Sequence, residues 1–249
     1  MTDSKRVALF VTCLVDQILP EVGVSAVNLI RQAGYEVVFP EAQTCCGQPF
    51  FNSGFQDEAR RLAQRMIAIF EPYELVVAPS GSCAAFVRAE YPQLFQDDPE
   101  LLRRARALAA KTYELSEFLI HVAGWQPEPK DRQGVPVTYH DSCHMNRMLH
   151  IRQEPRALLT AAGYTIDEMS ESDRCCGFGG IFSVHMPEIS NAMTEDKLHQ
   201  AEATSAPLLV TSDPGCLMQM RGLTDGKIRI QHLATLLDES VVAGDTETS

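Results

Sequence analysis

The eight cysteines of the chain fall into two copies of one pattern, and this repetition constrains the fold more than any other feature. In each copy 31 residues separate the first cysteine from a vicinal pair, a glycine follows the pair, and 36 or 39 further residues lead to the fourth cysteine. The two sets are Cys13, Cys45, Cys46 and Cys83, and Cys143, Cys175, Cys176 and Cys216. Duplication of a unit of about 110 to 130 residues is the economical explanation. The pattern therefore predicts two similar halves, each with a four-cysteine site.

Short apolar runs alternate with helical patterns along the chain, as in parallel strands joined by crossover helices. The runs predicted to form strands are residues 7–12, 35–39, 75–78, 135–139, 208–211 and 228–230. Apolar periodicity predicts helices over residues 22–33, 56–70, 155–162 and 188–202, and one or two more over 101–122. The sequence therefore predicts an α/β fold of two pseudo-symmetric, Rossmann-like repeats, with largely parallel sheets flanked by helices.

The boundary between the repeats is predicted from glycine, proline and charge. Residues 124–134 combine these features and are interpreted as a linker. The first cysteine-rich repeat then covers residues 1–123 and the second covers 135–238. Residues 239–249 form an acidic segment without apolar periodicity, which we expect to be a frayed tail.

Length and charge limit the classes of function. A chain of 249 residues can bury a large core without covalent staples, so the cysteines are not needed for folding. No secretory signal and no run of about 18 apolar residues is visible, which predicts a cytoplasmic protein without a membrane span. In that reducing location, cysteine clusters more often bind metal or carry out redox chemistry than form disulfides. The formal charge of −12 argues against nucleic-acid binding.

Each cysteine is expected at the same edge of its sheet. The first and fourth cysteine of each repeat follow a predicted strand, and each vicinal pair lies in the loop after another. Ligand sites in open parallel sheets gather beyond the carboxyl ends of the strands, so the four sulfurs of each repeat should converge there. A turn must bring the two neighbouring cysteines to one side, and Gly47 or Gly177 can supply its positive φ.

Four thiolates per repeat fit a [4Fe–4S] or [2Fe–2S] cluster or a structural zinc ion. Zinc sites usually draw ligands from short Cys-x₂₋₄-Cys knuckles, which this chain lacks. One iron–sulfur cluster per repeat, with [4Fe–4S] favoured, is therefore the leading hypothesis, and all eight cysteines are the predicted ligands. Two alternatives stay open: a zinc-stabilised, non-catalytic assembly protein, and a thiol-based redox sensor that forms a vicinal disulfide.

Two histidines next to the second cysteine set are candidate catalytic residues. His140 and His144 flank Cys143 closely, so either can donate an N–H to cluster sulfur or shuttle a substrate proton. A histidine here can also replace a thiolate as ligand. The competing interpretation is a pair of loop histidines bonded to backbone carbonyls. Asp141 and Asp213 precede cysteine-bearing turns, and we expect both to cap a turn or helix.

The duplicated Cys-x₃₁-Cys-Cys-Gly pattern with its downstream cysteine resembles the CCG cysteine-rich domain found in the B-type subunit of heterodisulfide reductase and in the iron–sulfur subunit of glycolate oxidase. Residues 139–144 (Tyr-His-Asp-Ser-Cys-His) and 175–184 (Cys-Cys-Gly-Phe-Gly-Gly-Ile-Phe-Ser-Val) narrow the resemblance to the lactate utilization protein A group. The resemblance implies an iron–sulfur component of a three-protein system that oxidises L-lactate to pyruvate. It also implies two partners, a subunit with ferredoxin-like clusters and a third small subunit.

The chain departs from the reductase pattern in one respect. That pattern ends in Cys-x-x-Cys and supplies five cysteines per site, whereas the fifth positions here are Phe86 and Gln219. The departure favours four-cysteine clusters and electron relay over heterodisulfide cleavage. No Gly-x-Gly-x-x-Gly fingerprint for a dinucleotide is present, so we expect an oxidoreductase subunit that acts only within a complex. The residues themselves do not distinguish lactate from glycolate or another 2-hydroxy acid.

Overall fold

The computed structural model describes residues 5–128 and 134–238, which form two four-stranded sheets flanked by helices. The first sheet has the order β2-β1-β3-β4 and the second has the order β6-β5-β7-β8. All pairings within both sheets are parallel. The strands are β1 (Arg6–Leu9), β2 (Glu36–Val38), β3 (Val76–Ala78), β4 (Thr112–Glu114), β5 (Pro136–His140), β6 (Thr165–Ile166), β7 (Leu208–Thr211) and β8 (Arg229–His232). The predicted fold class is confirmed.

Helices connect the strands of both sheets. In the first repeat they are α1 (Cys13–Ile18), α2 (Pro20–Gln32), α3 (Gln48–Asn52), α4 (Gln56–Phe70), α5 (Gly81–Ala85), α6 (Tyr91–Leu94), α7 (Pro99–Ala110) and α8 (Leu115–Glu117). In the second repeat they are α9 (Cys143–Leu149), α10 (Gln153–Ala161), α11 (Phe182–His185), α12 (Pro187–Glu202), α13 (Pro214–Leu223) and α14 (Leu233–Leu237). Phe86–Glu90 and Phe118–Val122 are π-helical continuations of α5 and α8. Among the described residues no helix combines the length and the apolarity needed to cross a bilayer.

The strand order places a topological switch point in each sheet. β1 pairs with β2 on one side and with β3 on the other. The order of the strands in the sheet therefore reverses at β1. β5 stands in the same relation to β6 and β7. A crevice opens beyond the carboxyl ends of strands at such a point. In the first repeat, the loops after β1 and β3 lead into α1 and α5. In the second repeat, the loops after β5 and β7 lead into α9 and α13.

The two repeats share their cores. One cluster of buried side chains combines Val7 and Leu9 of β1 with Val137 and Tyr139 of β5. Another consists mainly of first-repeat residues but includes Met145, Leu149 and Ile151 of the second repeat. Burial of apolar surface across the boundary therefore holds the halves together as one folded unit.

The structure corrects several element boundaries. β4 lies inside residues 101–122, which the apolar pattern predicts as helix, and β6 is not predicted at all. Strands of three and two residues are too short to establish an alternating pattern. β1 ends at Leu9 instead of residue 12, because the backbone turns at Thr12, where φ is 73°. Part of the predicted linker, residues 129–133, and the predicted acidic tail lie outside the described residues.

Candidate metal centre

All eight cysteines line one cavity of about 250 Å³ at the carboxyl ends of the central strands. The sequence predicts that four sulfurs converge in each repeat, and the structure brings both sets to the same cavity. We call the set of Cys13, Cys45, Cys46 and Cys83 the first tetrad, and the set of Cys143, Cys175, Cys176 and Cys216 the second tetrad. None of the eight forms a disulfide.

The first tetrad is assembled from three segments of the first repeat. Cys13 begins α1, Cys83 lies in the first turn of α5, and the vicinal pair lies in the loop before α3. The Sγ atoms of Cys13 and Cys45 are 3.6 Å apart, and those of Cys46 and Cys83 are also 3.6 Å apart. The Gly47 N–H donates a hydrogen bond of 3.5 Å to Cys45 Sγ.

The second tetrad repeats this arrangement. Cys143 begins α9, Cys216 lies in the first turn of α13, and the vicinal pair lies in the loop between β6 and α11. The Sγ atoms of Cys176 and Cys216 are 3.0 Å apart. The Gly177 N–H donates to Cys175 Sγ over 3.4 Å. Both vicinal pairs therefore direct a backbone donor at their first sulfur.

Negative charge concentrates on the first cysteine of each vicinal pair. The hydrogen bond from the Cys13 thiol lowers the pKa of Cys45 to about 3, with further help from Cys46 and the Gly47 N–H. The hydrogen bond from the Cys143 thiol lowers the pKa of Cys175 in the same way, to about 2. Thiolate is the form that binds metal, so each tetrad is already polarised towards an electropositive ligand.

The glycine after each vicinal pair adopts the positive φ expected from the sequence, +98° at Gly47 and +91° at Gly177. The two positions differ in how closely a helix packs on them. A Cβ at position 177 would lie 2.3 Å from the carbonyl oxygen of Ser190 in α12, and one at position 47 would lie 3.3 Å from that of Ala59 in α4. Glycine is thus required twice over at Gly177, by conformation and by space.

The two candidate histidines have different surroundings. His140 ends β5 and is fully buried, and neither of its ring nitrogens has a hydrogen-bond partner in the described structure. It lies beside Cys176 and Cys216, with a ring nitrogen and the two sulfurs all within 4.8 Å of one another. Burial lowers the pKa of His140 to about 4, which keeps the ring neutral. His144 is half-buried, lines the cavity and places Nδ1 3.5 Å from Cys143 Sγ.

Asp213 caps two helices, one from each repeat. Its Oδ1 accepts hydrogen bonds from the N–H groups of Gly215 and Cys216, at 3.0 and 3.3 Å, as the capping prediction requires. Its Oδ2 accepts from the Ser82 N–H of the first repeat, at 2.7 Å. One buried carboxylate thereby fixes the cysteine-bearing turns of both tetrads relative to each other, a link that the sequence does not indicate.

The capping prediction is wrong for Asp141. Its carboxylate receives two hydrogen bonds from the Arg156 guanidinium, at 2.8 and 2.9 Å, and one from the Ser172 hydroxyl, at 2.7 Å. Arg156 is itself nearly buried in α10. A buried arginine needs a charged partner, and two N–H groups of a guanidinium can bind both oxygens of one carboxylate. The Asp141 carboxylate therefore pairs with Arg156 and does not cap a backbone turn.

Polar residues surround the second tetrad where apolar residues surround the first. The buried positions of α4 and α12 correspond one to one, 131 residues apart. At five corresponding positions the first repeat has an apolar residue and the second a polar one: Ala59 and Ser190, Ala63 and Thr194, Met66 and Lys197, Phe10 and His140, and Phe86 and Gln219. The sequence analysis missed Ser190, Thr194 and Lys197. The signal that could have found them is their spacing of three and four residues in α12, at the positions that correspond to Ala59, Ala63 and Met66 in α4.

Three of these polar residues, Ser190, Thr194 and Gln219, form a connected network. The Gln219 Nε2 donates to the hydroxyl oxygens of Ser190 and Thr194, and the Thr194 hydroxyl donates to the Cys176 carbonyl at 2.7 Å. The fully buried Lys197 ammonium donates to the carbonyl oxygens of Glu171 and Ser172. The second tetrad therefore lies over a hydrogen-bonded, cationic base.

The residues present fit a metal ion or an iron–sulfur cluster. Eight soft sulfur donors line one cavity, and thiolate sulfur suits zinc and iron–sulfur clusters. Backbone N–H groups are directed at two of these sulfurs, and an unpartnered imidazole lies beside Cys176 and Cys216. Candidate ligands are present in both tetrads, whereas the imidazole is present only in the second. The role of each cysteine as a ligand stays a prediction.

Comparison with known proteins agrees with the duplicated architecture. The "CCG: Cysteine-rich domain" family matches residues 7–88 and 137–221. "Lactate utilization protein A 2" of Bacillus cereus (strain Q1) is 44% identical over 239 residues, which cover 93% of this chain and 97% of that protein. "Lactate utilization protein A" of Bacillus subtilis (strain 168) is 44% identical over 237 residues, covering 94% and 99%.

A solved structure shares the fold. A hypothetical protein from Helicobacter pylori superimposes with a TM-score of 0.69 at 12% identity, over 97% of this chain. The present chain spans about half of that protein, 51% of its length. The fold, the two matched repeats and the identity to relatives over nearly the whole chain lead to one assignment. The chain belongs to the CCG cysteine-rich domain family, within the lactate utilization protein A group.

Proposed function

We propose that the chain is an iron–sulfur electron-transfer component of a multi-subunit system that oxidises L-lactate, or a related 2-hydroxy acid, to its 2-oxo acid. The observation that carries this proposal is the convergence of two complete cysteine tetrads on one cavity. The relatives named for lactate utilization support the substrate class. Reduced thiols in all eight positions are compatible with the cytoplasmic location expected from the sequence.

Different residues would have different roles in binding such clusters. Each tetrad would bind one cluster through its cysteine sulfurs, and the clusters would supply reversible one-electron transfer. The N–H groups of Gly47 and Gly177 stabilise negative charge on Cys45 and Cys175. Burial of Cys46 and Cys176 excludes water from one side of each site. His144 lines the cavity and is the group best placed to exchange a proton with a molecule there.

Partners follow from the same proposal. The sequence has no Gly-x-Gly-x-x-Gly fingerprint for a dinucleotide, so in this proposal electrons arrive from and leave to other redox groups. A subunit with ferredoxin-like clusters and a third small subunit are the proposed partners. Several of the exposed apolar side chains follow the vicinal cysteines, among them Phe50, Phe55, Val184 and Ile189, and apolar surface beside a redox site suits a protein partner.

One observation favours a zinc-stabilised assembly protein as a second candidate. Zinc–sulfur bonds of about 2.3 Å place the ligands of a tetrahedral site roughly 3.8 Å apart. The separations of 3.6 Å in the first tetrad are close to this value. A four-iron cluster spreads its thiolates farther, because each binds a different iron. The shared cavity of about 250 Å³ favours clusters, since two zinc ions need far less room.

Metal analysis after anaerobic purification separates these candidates. We expect a brown protein with iron and sulfide in equal amounts, and an EPR signal after reduction. Cys46→Ser should remove only the first cluster and Cys176→Ser only the second, so each variant is the control for the other. Both should abolish lactate-dependent growth when they replace the native protein.

Other outcomes would overturn the proposal. A colourless protein with one zinc per tetrad and no iron identifies the assembly protein. A metal-free protein whose thiol count changes reversibly with oxidant identifies the thiol-based sensor. Full iron content in both cysteine variants would exclude Cys46 and Cys176 as ligands.

A further inference from the structure

His140 is a buried polar side chain without a partner. Its exposed fraction is 0%, and both Nδ1 and Nε2 lack a hydrogen bond within the described residues. Leaving a buried polar atom unsatisfied costs about 1–3 kcal/mol, and His140 has two such atoms. Two neighbouring charged groups are occupied elsewhere: Asp141 is held by Arg156, and Lys197 by two carbonyl oxygens. The imidazole therefore has both ring nitrogens available to a group held by the neighbouring sulfurs of Cys176 and Cys216.

The ring lies within reach of the second tetrad. Its nitrogen and the sulfurs of Cys176 and Cys216 all lie within 4.8 Å of one another. Two donors on one ion are at most about 4.4 Å apart, the sum of nitrogen and sulfur bond lengths to zinc of about 2.1 and 2.3 Å. A small rotation of the histidine side chain, or binding to the neighbouring metal of a cluster, covers the remainder.

On this basis we infer that His140 is a direct ligand of the metal group held by the second tetrad, in the place of one of its four thiolates, which makes this a mixed cysteine–histidine centre. The inference rests on the proposed function for the identity of the group, but its geometry holds for zinc or iron alike. Imidazole nitrogen is a common ligand of both zinc and iron.

The first repeat supplies a built-in comparison. Phe10 occupies the position that corresponds to His140, and its ring packs edge-on against Phe70 with centroids 5.6 Å apart. Phenylalanine cannot bind metal, so the first tetrad is limited to sulfur. Exchange of thiolate for imidazole raises the reduction potential of an iron–sulfur cluster. The second centre is therefore the electron acceptor of the pair, and electrons move from the first tetrad to the second.

The test reads the ligand directly. Protein labelled with ¹⁵N-histidine is purified anaerobically, reduced, and examined by pulsed EPR for nitrogen bound to a cluster. We expect a strong nitrogen coupling in the wild-type protein and its complete loss in His140→Phe, which carries the residue of the first repeat. Iron and sulfide should stay in His140→Phe because all eight cysteines remain. His144→Phe is the matched control and should keep the coupling.

A second readout is the potential. His140→Phe should lower the midpoint potential of the second cluster by at least 59 mV, a tenfold change in a one-electron reduction equilibrium, and leave the first unchanged. Absence of a strong nitrogen coupling in the wild-type protein, or its persistence in His140→Phe, would overturn the inference. If His140→Phe fails to fold, the coupling in His144→Phe decides: its retention supports His140, and its loss assigns the nitrogen to His144 and overturns the inference.

Failure of the proposed function gives a different result. If the protein holds zinc and no iron, X-ray absorption at the zinc edge replaces pulsed EPR. One nitrogen ligand in the wild-type protein that is lost in His140→Phe then supports His140 while refuting the iron–sulfur function. Sulfur ligands alone at both zinc ions, or a protein that binds no metal, would refute His140 as a ligand.

Discussion

Glu114 is a carboxyl group held in the interior at the end of β4. Its Oε2 accepts hydrogen bonds from the N–H groups of Ser116 and Glu117, at 2.7 and 3.3 Å, and from the Ser116 hydroxyl. Its Oε1 has no partner within the described residues. Burial raises the pKa of Glu114 to about 8, because the charged form loses its hydration. The folded protein therefore holds this carboxyl protonated at neutral pH.

This pKa predicts how stability depends on pH. The folded-state pKa lies above the unfolded value of 4.5, so the contribution of Glu114 is complete below pH 4.5 and is lost as pH rises through about 8. Glu114→Gln should remove this dependence, which amounts to about 1–4 kcal/mol. Urea unfolding at pH 5 and pH 8.5 measures it. Glu188→Gln, an exposed change of equal charge, should leave the slope as in the wild type, and an unchanged slope in Glu114→Gln would contradict the assignment.

For single residues, the sequence predicts which side chains form the candidate metal site better than it predicts which side chains contact each other. Repetition identifies all eight cysteines as one kind of site, and proximity to Cys143 singles out His140 and His144. It does not predict that Asp141 binds Arg156, because that choice depends on how α10 packs against the sheet. Nor does it predict Lys197, whose role is visible only once its helix face is known to point inward.

Asp213 shows how a single side chain acts on whole elements. Its carboxylate joins the first turn of α13 to the first turn of α5, which carry Cys216 and Cys83. An N-terminal carboxylate also interacts favourably with both helix dipoles. Displacement of either helix should therefore change the positions of the cysteines in both tetrads.

Asp213→Asn tests this link. The asparagine oxygen can replace Oδ1 towards Gly215 and Cys216, but its NH₂ group then faces the Ser82 N–H, so two donors oppose each other. We expect a loss of about 1–3 kcal/mol in unfolding free energy and reduced metal content in both tetrads. Chemical denaturation and metal analysis measure the two effects.

Asp98→Asn is the matched control for this substitution. Asp98 caps α7 through Oδ1 alone, accepting from the N–H groups of Glu100 and Leu101. Asparagine is about as good an N-cap as aspartate, so stability should change by less than about 0.5 kcal/mol. Equal losses in the two variants would show that Asp213 acts only as an ordinary cap.

Element prediction succeeded where the periodic signal is long. The sequence places α4 over residues 56–70 as observed, and α12 within one residue of its observed start. It misses β4 and β6, which depend on pairing with β3 and β5 and not on their own pattern. Short edge strands therefore form only when the neighbouring strand is in place to pair with them.

The whole molecule is built by close packing of one repeat on the other. α5 of the first repeat packs on α9 of the second, and Gly81 makes this approach possible. A Cβ at Gly81 would lie 2.7 Å from the Met145 Cβ, far inside contact distance. Because α5 carries Cys83 and α9 begins with Cys143, this contact also sets the spacing between the tetrads.

Gly81→Ala should therefore push the two repeats apart. Overpacking of this kind costs about 1–3 kcal/mol. We expect a lower thermal midpoint and reduced metal content in both tetrads. Gly222→Ala, in helix α13 where nothing lies within 4 Å of the added methyl group, should instead be neutral or stabilising by about 0.5–1 kcal/mol. A neutral Gly81→Ala would show that the contact between α5 and α9 yields easily.

The two tetrads have the same sulfur ligands but different surroundings, and Lys197 is one of the electrostatic differences. Its buried ammonium lies under the second tetrad, where the first repeat has Met66. A positive charge stabilises the extra electron of a reduced cluster, because reduction makes the cluster more negative. If the tetrads hold the proposed iron–sulfur clusters, Lys197→Met, which copies the first repeat, should lower the potential of the second cluster and leave the first unchanged.

The expected change is on the order of tenfold in the reduction equilibrium, or about 59 mV. Lys111→Met is the control: Lys111 precedes β4 at the opposite, amino edge of the first sheet and donates to the carbonyl oxygens of Glu71 and Tyr73. Its removal eliminates the same charge far from either tetrad, so neither potential should move. Redox titration followed by EPR measures all four values. Equal shifts in the two variants would trace the effect to net charge alone, whereas a shift confined to Lys197→Met shows that the polar base of the second tetrad directs electrons there.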